Sequence, residues 1–164
     1  MSKTWIYQYP CCFSTDLIFP LVYASVPVQN VYSSSLSPSS QIYSQHCNEQ
    51  DFYYESIQIK LKKSGYYSFL SYSNIDAYGA IYRKTFNPLN PLENLFQMED
   101  DTSSNLQFRL DIFLSDDVTY VLVMATYQSE DANAFWIVAL GDNNVILERL
   151  SEYICIYTFM LCYE

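Results

Sequence analysis

The sequence predicts an all-β fold, an antiparallel jelly-roll or Greek-key sandwich of about seven to nine strands. Three observations carry this expectation. From residue 53 onward, short runs alternate apolar and polar side chains, the mark of half-buried strands. Clusters of Ser, Asp, Asn and Gly separate these runs at intervals too short for crossover helices, which leaves antiparallel pairing. No window of twelve residues repeats its apolar side chains at helical spacing.

Residues 1–32 show no clean period, and prolines at 10, 20, 27 and 38 interrupt regular structure. Lys3, the apolar stretch 17–24 and the small residue Ala24 outline a poor signal peptide; an irregular lead-in explains the same residues. "SSSLSPSS" (33–40) reads as a flexible polar spacer. The division that follows is a lead-in and linker over 1–40, a sandwich over 41–150 and an apolar tail or extra strand over 151–164.

Within the sandwich, "YYESIQIKL" (53–61) sets Ile57, Ile59 and Leu61 on one face and Ser56, Gln58 and Lys60 on the other. "YYSFLSYS" (66–73) follows across Lys63-Ser64-Gly65, which is hairpin chemistry. The polar, proline-containing link 84–105 is expected to cross one end of the sandwich. "LQFRLDIFL" (106–114) directs Leu106, Phe108, Leu110, Ile112 and Leu114 to one face, and Gln107, Arg109 and Asp111 to the other. "TYVLVMATY" (119–127), "AFWIVALG" (134–141) and "NVILERL" (144–150) complete the set.

Composition excludes several function classes. The chain has 164 residues, 50% apolar and 18% aromatic, enough for one folded domain. A formal net charge of −10 argues against a phosphate-backbone binder, which needs clustered Lys and Arg. Cys11, Cys12, Cys47, Cys155 and Cys162 form no C-x-x-C pair, so neither a zinc ribbon nor a thioredoxin-type site is expected. The apolar run 153–163 is well short of the ~20 residues of a spanning helix and reads as an extra buried strand or the start of a membrane anchor, so no clear membrane span is expected in this chain.

The residues also resist a catalytic reading. His46, the sole histidine, is adjacent to Cys47; successive strand residues face opposite ways, which does not suit a thiolate–imidazole dyad. Neither a G-x-S-x-G elbow nor a glycine-rich phosphate loop occurs. Asp100-Asp101 and Asp116-Asp117 read as turn residues.

"IDAYGAIY" (75–82) reads as a structural corner in which Gly79 provides a positive φ or a close backbone approach, flanked by Tyr78 and Tyr82. There Asp76 accepts hydrogen bonds from turn amides. The alternative is a calcium site assembled across loops from Asp76, Glu99, Asp100 and Asp101, since calcium takes six to eight hard oxygens. Tyr53, Tyr54, Tyr66, Tyr67, Tyr72 and Trp136 offer rings for stacking on a sugar or a protein. The simpler reading puts Trp136 in the core beside Phe135 and leaves the tyrosine doublets open.

The order Gly65-Tyr66-Tyr67-Ser68-Phe69, Asp76-Ala77-Tyr78-Gly79-Ala80-Ile81-Tyr82, Asn94-Leu95, Asp100-Asp101 and Thr119-Tyr120-Val121-Leu122-Val123 resembles the pre-peptidase C-terminal (PPC) domain family over about 41–147. Thr102-Ser103-Ser104-Asn105 and Asp117-Val118 stand where that family usually carries glycine. The resemblance implies a jelly-roll accessory domain without catalytic activity, attached to secreted enzymes and sometimes binding calcium or matrix polymers. The expected function is therefore an extracellular or cell-surface binding module for a protein or glycan partner, with calcium as an assisting ion. The alternative is a purely structural sandwich unit of a larger protein, with no ligand of its own.

Overall fold

The computed structural model describes residues 27–44, 51–100, 106–127 and 133–151. The leader-like stretch 17–24, the five cysteines, His46, Asp101 and the apolar run 153–163 lie outside the described residues. Ten strands are present: β1 (Val28–Ser35), β2 (Gln41–Ser44), β3 (Asp51–Leu61), β4 (Gly65–Ser73), β5 (Ala77–Arg83), β6 (Leu95–Glu99), β7 (Arg109–Leu114), β8 (Tyr120–Thr126), β9 (Ala134–Gly141) and β10 (Val145–Arg149). The described residues contain no helix.

The strands form two antiparallel sheets. One has the order β1-β9-β4-β7; the other runs β10-β3-β8-β5-β6, with β2 also on β3. β2 pairs with the first half of β3 and β10 with the second, so the two lie end to end along one edge of that long strand. Along one side of the sandwich the Asn30 amide donates to the Val145 carbonyl at 2.6 Å, tying β1 to β10.

Alternation determines what is buried. Ile57 and Ile59 (β3), Ile81 (β5), Leu122 and Met124 (β8) face Tyr67 and Phe69 (β4), Leu110 and Leu114 (β7), and Phe135 and Ile137 (β9) across the space between the sheets. Every residue of β8 is buried because its sheet is covered on both faces. On the outer face, Tyr43, Tyr54, Tyr82 and Phe86 close over Ala80, Val121, Val123 and Ala125. The rings interlock, with centroids 4.8–5.8 Å apart, which is the range of favourable aromatic pairs.

The all-β sandwich expectation holds, with ten strands among the described residues rather than about seven to nine. Four details differ. β3 and β4 belong to different sheets; Lys62–Ser64 is a corner between layers, because turn chemistry reverses the chain without choosing its partner. The serine run is not a spacer. Ser33, Ser34 and Ser35 end β1, opposite Trp136, Phe135 and Ala134, and Leu36 is buried with its N–H on the Asn133 carbonyl. The sandwich therefore includes β1 and does not begin at residue 41. The link 84–105 contains β6, paired with β5.

The fourth difference concerns "IDAYGAIY". Tyr78, Gly79 and Tyr82 lie inside β5, between β8 and β6, and the turn precedes them at Asn74–Asp76. Gly79 does not have a positive φ. A Cβ there would lie 2.5 Å from Cγ of Phe108, so the glycine makes room for a buried ring of the opposite layer. Gly141 does the same under Tyr67, its cross-strand partner, where a Cβ would lie 2.4 Å from the ring.

Candidate binding face

At the centre of the four-stranded sheet, β9 and much of β4 are apolar on both faces. In β9, Phe135, Ile137 and Ala139 point into the core, which turns Trp136, Val138 and Leu140 outward. In β4, Tyr67 and Phe69 point in, while Tyr66, Leu70 and Tyr72 point out. Register aligns these side chains in rows. Tyr72 stands opposite Trp136, which stands opposite Ser33. Leu70 stands opposite Val138, and Val138 opposite Val31. At the far end Tyr66 pairs with Phe113 of β7, rings edge-on at 5.3 Å.

These side chains are open to solvent. Tyr66 is 73% exposed, Tyr72 52%, Val31 51%, Phe113 50% and Trp136 47%. Trp136 is thus on the surface, contrary to the core position expected beside Phe135. The doublets split by the same parity: Tyr67 and Tyr54 are buried, Tyr53 is partly buried against the inter-sheet core, and Tyr66 and Tyr72 face out.

Three polar groups on this face, Ser68, Arg109 and Asp111, are engaged with one another. Asp111 accepts from Arg109 Nε at 2.8 Å and from the Ser68 hydroxyl. These bonds, Arg109's first, hold the Asp111 carboxyl below its usual range. One cation and one anion thus neutralise each other at the margin of an apolar field.

Of the expected calcium ligands, Asp76, Glu99 and Asp100 lie among the described residues. Antiparallel pairing of β5 with β6 brings the start of β5 and the end of β6 to the same end of the sheet. Asp76 lies just before β5, and its carbonyl accepts from the Tyr127 N–H at 3.0 Å. Glu99 lies opposite Gly79, and Asp100 follows it. Among the described residues, no group of three or more His, Cys, Asp or Glu is arranged to hold a metal ion. Burial, then the negative charges of Tyr43 and Asp100, raises the pKa of the Tyr78 phenol above its ordinary value.

One functional group escaped the sequence reading. Glu55 of β3 is 3% exposed and lies between the sheets. Its carboxylate accepts from the Tyr32 hydroxyl, from Ser34 Oγ at 2.9 Å, and from Arg149 at 2.9 Å. A buried charge must be paired and hydrogen-bonded, and this one clamps β1, β3 and β10 together. Parity was the available signal, since Glu55 falls on the face of Ile57, Ile59 and Leu61. Asp116 and Asp117 occupy the turn between β7 and β8; they accept from the hydroxyls of Ser64 and Ser115.

No helix among the described residues is long and apolar enough to cross a membrane. Compared with known proteins, the chain matches no family model and no curated protein sequence.

Proposed function

We propose that the chain is a non-catalytic binding module, working outside the cell or at its surface, that docks a protein partner on the outer face of the four-stranded sheet. The carrying observation is the set of five large apolar side chains, each about half or more exposed, held in register on one sheet face. Exposed apolar fields of this kind mark interaction sites. A protein partner fits better than a glycan for two reasons. Sugar hydroxyls need charged or amide partners around the rings, whereas Arg109 and Asp111, the charged pair of this face, already bond to each other. The edge-on Tyr66–Phe113 pair and the aliphatic Val31 and Val138 suit interdigitating side chains better than a flat pyranose. The PPC resemblance points to the same class of accessory module.

A photoreactive residue at position 72 should cross-link a protein partner, and one at Lys60 on the other sheet should not. Against that purified partner, Trp136→Ser or Tyr72→Ser should weaken binding about thirtyfold, the loss of a hot-spot aromatic, with the melting temperature unchanged. Unaltered affinity in both variants refutes the face, and ring-dependent retention on polysaccharide instead of protein refutes the partner class. Calcium assistance would involve Asp76, Glu99, Asp100 and Asp101. It requires a melting curve raised by millimolar calcium and lowered again by chelator.

A further inference from the structure

On the other sheet, a cavity of about 290 Å³ opens at the end of the outer aromatic layer. Phe86, Val121 and Leu150 give it apolar walls, while Gln58, Thr119 and Lys84 bring polar groups. Gln58 and Val121 are cross-strand partners, so the amide and the isopropyl group lie side by side. Among the described residues lining the cavity, Lys84 carries the one full charge, and no carboxylate faces it. That is unusual ground in a chain of net charge −10.

The backbone that holds Lys84 is strained. Its φ is 72°, a left-handed conformation that a long side chain adopts at a cost. The Thr85 N–H donates to the Arg83 carbonyl at 3.0 Å, so Lys84 is the apex of a three-residue γ-turn. Its own N–H is anchored on the Thr119 carbonyl at 2.8 Å. Glycine would occupy this apex without strain. Instead the turn carries a cation to the rim of an apolar cavity.

We propose that this cavity is a binding site for a small amphipathic carboxylate, its apolar body against Phe86, Val121 and Leu150 and its carboxylate on the Lys84 ammonium. An apolar concavity with a few convergent polar groups is the usual form of a small-molecule site, and an ammonium–carboxylate hydrogen bond supplies orientation. The site lies on the sheet opposite the docking face and does not depend on it.

Octanoate and its neutral amide, titrated into the full chain, test the proposal. Octanoate should shift the backbone amide resonances of Lys84, Thr119 and Val121 saturably, and octanamide should bind at least about tenfold more weakly. Lys84→Gly should raise the melting temperature by relieving the turn, yet lose octanoate binding by a similar factor. Lys84→Arg should retain it. Equal affinity for acid and amide, undiminished binding by Lys84→Gly, or shifts absent from these amides would each overturn the assignment.

Discussion

Gly79→Ala tests the contact between layers most directly. The added Cβ would lie 2.5–2.7 Å from three carbons of the Phe108 ring, where ordinary contact begins at 3.4 Å. Neither side can yield easily: Phe108 is fully buried, and Gly79 is hydrogen-bonded in register between Met124 and Glu99. Overpacking of this kind costs about 1–3 kcal/mol. Against it stands the unfolded-state entropy that alanine removes, about 0.4–1 kcal/mol in favour of folding. The clash wins, and a net loss of about 1–2 kcal/mol is expected.

Gly65→Ala is the control. Its Cβ would meet only Tyr67 Cε2 at 3.8 Å, and its φ is not left-handed, so the entropy term should act alone and stability should hold or rise. Urea unfolding with unchanged m-values reads both. Phe108→Leu, destabilising by itself, should absorb part of the Gly79→Ala penalty, with a coupling of about 1 kcal/mol in a double-mutant cycle. Equal midpoints for Gly79→Ala and Gly65→Ala would refute the reasoning, and additive behaviour with Phe108→Leu would locate the strain elsewhere.

Other expectations follow from burial and pairing. A fragment beginning at residue 41 loses Leu36, two of the Glu55 donors and all of β1, which leaves the β9 edge and part of the inter-sheet core uncovered. Far-UV circular dichroism should therefore show it unfolded, while a fragment from residue 27 folds. Leu110→Asp should unfold the domain, because Leu110 is fully buried, whereas Arg109→Ala on the exposed face should move the urea midpoint little. The phenols of Tyr32, Tyr78 and Tyr82 are pushed above their ordinary value of 10.0, chiefly by burial. The folded state thus holds these protons more tightly, so this contribution is complete below about pH 10 and is lost as the pH rises further. Urea midpoints should be level from pH 8 to 10 and fall above it, in step with tyrosinate absorbance; a level midpoint at pH 11.5 would contradict the burial of these rings.

Strands that alternate were legible in the sequence: β3, β4, β7, β8, β9 and β10 all stand close to where period two puts them. Three of the other four, β1, β5 and β6, carry conflicting local signals. β1 ends in three serines, yet eight residues of pairing with β9 override that polar, turn-like composition. β5 contains a glycine that suggests a bend, but Phe108 fills the space where its side chain would be. β6 is embedded between prolines and acids and exists because β5 offers it an edge. Partnership, not propensity, made these strands, and a partner distant in the chain leaves no local mark.

The candidate face was hidden for a related reason. In "AFWIVALG" both alternating sets are apolar, so periodicity is silent about which set faces the core. Packing decides it. Tyr67 lies over Gly141, and Phe69 stands opposite Ala139, so the inward row of β9 tapers from Phe135 through Ile137 to Ala139 and Gly141. With Phe135 filling the wide end of that row, Trp136 goes outward with Val138, beside Tyr72 and Val31. A sheet that needed only a solvent face would carry polar residues on that row. The apolar outer row exposes surface at a cost in solubility that folding alone does not require, and on that excess the proposed docking face rests.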